Sequence, residues 1–271
     1  VIYMLHGANG HEFNYFRAYD SVDALYSEPS VLSYVSGSVP PPSGLTMPEA
    51  IVVFVNGGRR SGYYDYKGEF HGPNSDFPIM SESIIIKEVI PYVDANFNTI
   101  ADRTGRAIEG FSMGATGSLR LALKHPNLFC SVVAYGTGFL LEGERQPIYY
   151  NPPEERLANI SATDRGKIIK TGLHLRTVNG DRDTPPASEM MAEQFSKLGF
   201  VYEFELDLPN TRHSWREYYL NSGAEGLDFH QRCFEETAVS STPSLSPTPP
   251  ARSATLTQLI QQRQVGNVSR H

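Results

Sequence analysis

Cysteine is scarce in this sequence. Cys130 and Cys233 are the only two among 271 residues. Two cysteines do not make the disulfide framework of a small stapled domain, and neither sits in a Cys/His spacing that would hold zinc. Cys130, inside FCSVVAYG, reads as a small buried hydrophobe, and a single bridge to Cys233 stays open. Runs of basic residues are also missing. The formal net charge is −7, and no Lys/Arg stripe offers itself to a phosphate backbone, so no nucleic-acid partner is expected. No apolar run approaches the ~20 residues of a membrane span, so no membrane partner is expected either. Internal repeats are lacking as well.

What the sequence does hold is enough apolar material for a sizeable core, 40% hydrophobic and 11% aromatic against 20% charged. Short β-branched runs recur along it: VIYML (1–5), AIVVFVN (50–56), RAIEGF (106–111), CSVVAYG (130–136), LHLRTVN (173–179) and VYEFEL (201–206). Each is apolar on nearly both faces, as strands inside a parallel sheet are. Helical patterns lie between them. Ile85, Val89, Val93 and Phe97 form one stripe, with Pro91 inside it predicting a kink or a new turn. Residues 113–125 read as a helix ended by Pro126, and 185–198 as one opened by proline and closed by Gly199. The β-α-β order predicts an α/β fold with a mostly parallel sheet.

Two segments break that rhythm. Residues 137–170 show no clear period and are expected to insert over the active edge of the sheet. From 237 to 271 the chain is rich in Ser, Thr and Pro, and reads as a linker or tail after a catalytic domain of residues 1–236. Val1 opens a strand already under way, so the sequence is expected to begin inside a longer gene product.

One short motif carries chemistry. In EGFSMGATG, Ser112 stands between Gly110 and Gly114. A G-x-S-x-G between a strand and a helix bends the chain sharply and exposes the serine hydroxyl at the sheet's C-terminal edge. The pattern alone is common by chance; the strand before it and the helix after it give it weight. A serine hydroxyl needs a base, and the base an orienting carboxylate, here in the chain order Ser, Asp/Glu, His. Of the later histidines, His213 in PNTRHSW follows a strand closely. His230 falls within a probable terminal helix and His271 in the tail. His213 is therefore the expected base. For the acid, VNGDRDTPP offers Asp181, with a tight-turn role as its alternative, and Asp183, with a helix N-cap as its alternative. The residues alone do not separate them. The N–H of Met113, at the helix start, and that of Ala8, in the glycine-bearing loop LHGANG, are the expected oxyanion donors. His6 reads as a structural histidine ordering that loop. Tyr63, Tyr64 and Tyr66 in SGYYDYKGEF are candidate stacking residues for a ring in the substrate, packing being their alternative; Tyr149 and Tyr150 raise the same choice.

YMLHGANG, AIVVFVNGG and above all IPYVDANF…DRTGRAIEGFSMG…KHPNLF make the chain resemble the esterase D-like "putative esterase" family. That group includes feruloyl and acetylxylan esterases of carbohydrate esterase family 1, enterochelin esterase-like proteins, S-formylglutathione hydrolases and mycolyltransferases. The likeness covers roughly residues 1–220. It implies an α/β-hydrolase fold and a triad of Ser112, Asp183 and His213, which settles the acid on Asp183 of GDRD. It also implies oxyanion donors at Ala8 and Met113, and neither metal nor organic cofactor. Departures are Ala115, where the family often has a further glycine, and the lack of the strands that precede LHG in the family, which would leave strand 50–56 as an edge. The implied activity is ester hydrolysis through an acyl-serine, on feruloyl or acetyl esters, small or polysaccharide-linked. Acyl transfer, thioester hydrolysis of the S-formylglutathione kind and a non-catalytic binding module are the alternatives. The Ser/Thr/Pro tail fits a secreted or periplasmic enzyme.

Overall fold

The computed structural model describes residues 1–12, 40–66, 79–137, 159–183 and 185–240. Six strands form one sheet: β1 (Ile2–Leu5), β2 (Val52–Val55), β5 (Ala107–Phe111), β6 (Ser131–Tyr135), β7 (His174–Gly180) and β8 (Tyr202–Leu208). These are the six expected strands, trimmed or extended by one or two residues at their ends. Their order is β2-β1-β5-β6-β7-β8 and every pairing is parallel. Two short strands, β3 (Asp65–Tyr66) and β4 (Ile79–Met80), pair antiparallel apart from it. Among the described residues, strand β2 is the sheet edge beside β1.

Strand periodicity sorts the core. Tyr3, Leu5, Ile108, Val132, Ala134 and Leu175 face one side; Ile2, Met4, Ala107, Val133, Tyr135 and Val178 face the other. On the first face pack four helices: α1 (81–96), α2 (Met113–Lys124), α3 (Ala162–Thr171) and α4 (Pro185–Leu198). The second is covered by the long α5 (Trp215–Ser240), through Tyr218, Tyr219, Leu227 and Phe229. Helices on both faces explain why strands such as β5 and β6 are buried at every position.

In α1, a π turn at Ile85–Val89 separates Ser81–Ile84 from Ile90–Asn96, with Pro91 in the first turn of the latter. A proline cannot donate to the carbonyl four residues back, and the wider turn before it relieves the ring clash. The extra residue in that turn also rotates the apolar stripe. Ile85, Ile90 and Val93 are buried, whereas Phe97 caps the helix in extended conformation and is exposed. The expected stripe through Phe97 is corrected accordingly.

Helix α3 lies at the end of 137–170, running one residue past it, where no period was expected. Its signals are local: Ser161 accepts from the Asp164 N–H as N-cap, and Gly172 closes it at φ +62°. Residues 138–158 of that segment, with Tyr149 and Tyr150, lie outside the described residues. So does the chain beyond 240, with His271; α5 runs to Ser240, past the start expected for the tail.

Cys130 is buried, but not as a free thiol: it forms a disulfide with Cys233 of α5. Beside it, Ser131 Oγ lies 2.8 Å from His230 Nδ1, and His230 Nε2 lies 3.2 Å from Glu109 Oε2. All three side chains are buried. Together with the disulfide they fasten α5 to the N-terminal side of β5 and β6.

Candidate active site

The chain runs from β1 outward to β2, crosses back to β5, and then proceeds through β6, β7 and β8 in the opposite direction. The C-terminal ends of β1 and β5 therefore border the crevice where an open parallel sheet binds its ligands. Ser112 follows β5 directly at this point, and the loop 6–10 follows β1.

Ser112 has φ +56° and ψ −116°, a backbone conformation that a residue with a Cβ adopts only under external constraint. The constraint is visible on both sides. The Ser112 N–H donates to the Tyr135 carbonyl at 2.9 Å, and the Ser112 carbonyl accepts from the Thr116 N–H at 3.0 Å. The two glycines of the motif are required by contact: a Cβ on Gly114 would collide with the Leu5 carbonyl, and one on Gly110 would run into Gly114. This close approach brings the loop after β1 against the start of α2.

His213 sits in the loop between β8 and α5, two residues before Trp215. Its Nε2 is 2.9 Å from Ser112 Oγ, and its Nδ1 is 2.8 Å from Asp183 Oδ2. In this pairing an imidazole protonated at Nδ1 donates to Asp183, and its Nε2 accepts a hydrogen bond from the Ser112 hydroxyl. The environment is graded: the His213 side chain is 47% exposed, while that of Asp183 is 4% exposed. The base is reachable and the acid is not. The imidazole lies against the Phe111 ring at a centroid distance of 4.8 Å.

Asp181 has a different task. Its Oδ1 accepts from the Thr211 N–H at 3.0 Å, and the Arg182 N–H donates to the Thr211 carbonyl at 3.1 Å. These bonds tie the loop after β7 to the loop that carries His213. A Cβ on Gly180 would collide with the Thr211 carbonyl, so glycine lets the two loops touch. Asp183 is seated by groups that the sequence did not reveal. The Tyr218 hydroxyl donates to Asp183 Oδ2 at 2.7 Å and accepts from the Gly180 N–H at 2.8 Å. Gly136, at φ +63°, leaves the space: a Cβ there would stand 3.1 Å from both Asp183 Oδ2 and Tyr218 Cε2. The only trace in the sequence is a tyrosine five residues after the histidine, which matches no general pattern.

Neither the Ala8 nor the Met113 N–H is paired with an acceptor among the described residues. Loop 6–10 is braced from several sides. His6 Nδ1–H donates to the Gly7 carbonyl at 2.8 Å, and Arg60 Nε donates to Asn9 Oδ1 at 2.8 Å. Burial lowers the His6 pKa below its ordinary value and keeps the ring neutral.

The tyrosines after β2 do not form an open aromatic face. Tyr63 is fully buried, packs where side chains at Gly57 and Gly117 would otherwise stand, and donates from its hydroxyl to the His6 carbonyl at 3.0 Å. Tyr64 is buried beneath the Arg120 guanidinium, 5.1 Å from its ring centroid. Their assignment to substrate stacking is corrected: these rings hold the β1 loop and α2 in place. Tyr66 lies in β3. His230, also weighed as base, is fully buried toward the opposite, N-terminal end of the strands. Among the described residues no cluster of His, Cys, Asp and Glu could hold a metal ion, and no helix is long and apolar enough to cross a membrane.

A parallel sheet covered on both faces, with a serine on a strained strand–helix turn and its partners on later loops, defines the α/β-hydrolase fold. A solved ferulic acid esterase shares it with a TM-score of 0.59 at 20% identity, over 86% of this chain and 84% of that one. Residues 43–151 match the model of the family described as "Putative esterase". Among curated proteins it is 42% identical over 122 residues to an endo-1,4-beta-xylanase/feruloyl esterase of Xylanibacter ruminicola, covering 45% of this chain and 14% of that protein. It is 35% identical over 85 residues to Esterase Rv1288 of Mycobacterium tuberculosis, covering 31% of this chain and 18% of that protein. The chain thus aligns with less than a fifth of the length of these curated relatives.

Proposed function

We propose that this chain is a serine carboxylic-ester hydrolase acting on feruloyl or acetyl esters of plant polysaccharide. The observation that carries the chemistry is one imidazole bridging the Ser112 hydroxyl and the Asp183 carboxylate at 2.9 and 2.8 Å. Ser112 Oγ attacks the ester carbonyl carbon while its proton passes to His213 Nε2. Asp183 holds the Nδ1–H and stabilises the imidazolium that results. The carbonyl oxygen becomes an oxyanion, which accepts from the Ala8 and Met113 N–H groups; one such donor is worth about 10²–10³ in rate. The C–O bond to the alcohol then breaks, and Nε2–H protonates the leaving oxygen. Water attacks the acyl-serine, gives its proton to the same nitrogen, and the carboxylic acid departs with Ser112 restored.

The named feruloyl activity of the Xylanibacter relative, 42% identical over its aligned segment, supports the substrate class. The Cys130–Cys233 disulfide supports a secreted or periplasmic setting, where such bonds persist. The test is a panel of methyl ferulate, acetylated xylan, S-formylglutathione and short p-nitrophenyl esters, run on the wild type and on Ser112→Ala. Turnover of methyl ferulate or acetylated xylan that vanishes in Ser112→Ala is the expected result. A preference for S-formylglutathione, or acyl transfer to an added alcohol, overturns the substrate class. Turnover that survives in Ser112→Ala overturns the serine chemistry, and no turnover of any ester by the wild type points to a binding module.

A further inference from the structure

Asp183 Oδ2 receives two donors, the imidazole Nδ1–H at 2.8 Å and the Tyr218 hydroxyl at 2.7 Å. The tyrosine is fully buried, so water does not replace its hydroxyl readily. Its ring is fixed between Phe111 and Tyr135, at centroid distances of 5.6 and 6.1 Å. The Tyr218 hydroxyl oxygen accepts the Gly180 N–H, at the end of the strand whose following loop bears Asp183. Because the hydroxyl accepts from Gly180, its own proton is directed at the carboxylate. We propose that Tyr218 is a positioning residue of the serine chemistry: its hydroxyl locks Asp183 in place and, by sharing the oxygen that faces the imidazole, sets how strong a base His213 is. This inference rests on the hydrolase reading above.

The physical reason is competition for one lone-pair region. A carboxylate oxygen that already accepts from a phenol carries less charge toward the imidazolium. Burial first, and the bond to Asp183 second, push the Tyr218 phenol far above its ordinary pKa, so the group remains a donor throughout the working range. The other charged groups around this pair have partners of their own. Asp181 accepts from the Thr211 N–H, Arg182 donates to Asn210 Oδ1, and Arg212 on the histidine's loop is paired with Glu217 of α5. From β5 and β6 the site meets Phe111 and Gly136, neither of which titrates.

The test is the pH dependence of p-nitrophenyl acetate hydrolysis by the wild type, Tyr218→Phe and Ser112→Ala, each checked for a native melting transition. Tyr218→Phe is expected to lower kcat about 10–100-fold with KM changed by less than about twofold, as loss of a residue orienting a functional ligand does. It is also expected to move the acid limb of the kcat/KM profile to higher pH, because the freed carboxylate stabilises the imidazolium more. A lowered kcat with an unmoved acid limb overturns the proposal and assigns the residue to packing. Wild-type kcat and profile overturn it as well. In both cases Ser112→Ala must be inactive; if that variant is active, the serine reading beneath the proposal has failed instead. Should Tyr218→Phe not fold, Tyr218→3-fluorotyrosine keeps the ring and strengthens the donor. The acid limb then moves to lower pH, and an unmoved limb overturns the proposal.

Discussion

Among the described residues two serine–histidine–carboxylate chains occur, one at each end of the strands of the same sheet. At the C-terminal edge, Ser112, His213 and Asp183 are joined at 2.9 and 2.8 Å. Toward the N-terminal edge, Ser131, His230 and Glu109 are joined at 2.8 and 3.2 Å. The residue types are nearly the same, and the difference lies in backbone and access. Ser112 stands on a turn at φ +56°, beside a half-exposed imidazole and loops that substrate can reach. Ser131 is the first residue of a regular strand, and His230 of α5 and Glu109 of β5 are fully buried between helix and sheet. The first chain is placed to exchange protons with a ligand. The second can only hold a helix to a sheet, with Glu109 Oε1 lacking a partner among the described residues. A constellation of residue types is chemistry only where a substrate atom can be brought to it.

The largest expected contrast is between the serines. Ser112→Ala should lower kcat by about 10⁴–10⁶-fold with the melting temperature nearly unchanged, whereas Ser131→Ala should keep its kcat and lose about 1 kcal/mol of stability. Steady-state kinetics and urea denaturation on both variants check this, and equal kinetic losses would break the comparison. The carboxylates come next. Asp183→Asn leaves the geometry but disfavours the required tautomer, and should lower kcat by about 10⁴-fold; Glu109→Gln should leave kcat within about twofold. On the structural side the effects are smaller and appear in denaturation curves. His230→Ala leaves the Glu109 carboxylate buried without its partner and should cost about 3–5 kcal/mol, with kcat per folded molecule retained. Removing the disulfide by a double Cys130→Ala, Cys233→Ala substitution should cost about 2–4 kcal/mol, again without a kinetic effect.

The smallest expected effect sharpens the comparison through pH. His6 braces the loop beside Ser112, and burial holds its folded-state pKa below the ordinary value of 6.5. A depressed pKa means the unfolded chain takes up the proton first. Stability from this group is complete above pH 6.5 and is lost as pH falls below it, at up to about 1.4 kcal/mol per pH unit. His6→Asn should flatten that part of the stability–pH curve measured by urea denaturation, and an unchanged slope would remove His6 as its source.

Much of the candidate site was legible because its signals are local. The run of apolar strands, the glycines at 110 and 114 and the proline and glycine ending α2 and α4 each report a backbone need that neighbouring residues express. Asp181 and Asp183 were not separable by residue type, since both follow a strand and suit a turn. The family resemblance pointed to Asp183, and the loop pairing shows the reason: Asp181 binds Thr211 while Asp183 meets the imidazole. The tyrosines at 63 and 64 misled for a related reason: a loop aromatic in sequence looks the same whether its face meets substrate or the underside of α2. Helix α3 was missed although Ser161 and Gly172 marked its ends, because an amphipathic period is faint when Ile168 is the one residue of the helix that is buried.

The sequence by itself determined the six parallel strands, the bend at Ser112 and the histidine loop that follows the last strand, since these rest on short-range sterics and apolar periodicity. The tertiary structure alone decided the rest: that Asp181 instead ties the β7 loop to Thr211, that Tyr218 and Gly136 build the seat of Asp183, that Cys130 meets Cys233, and that a second serine–histidine–carboxylate chain is sealed from solvent. Those facts depend on contacts between residues 30 to 121 positions apart. No local pattern encodes such contacts, because packing, not neighbouring sequence, sets which distant side chains share a site.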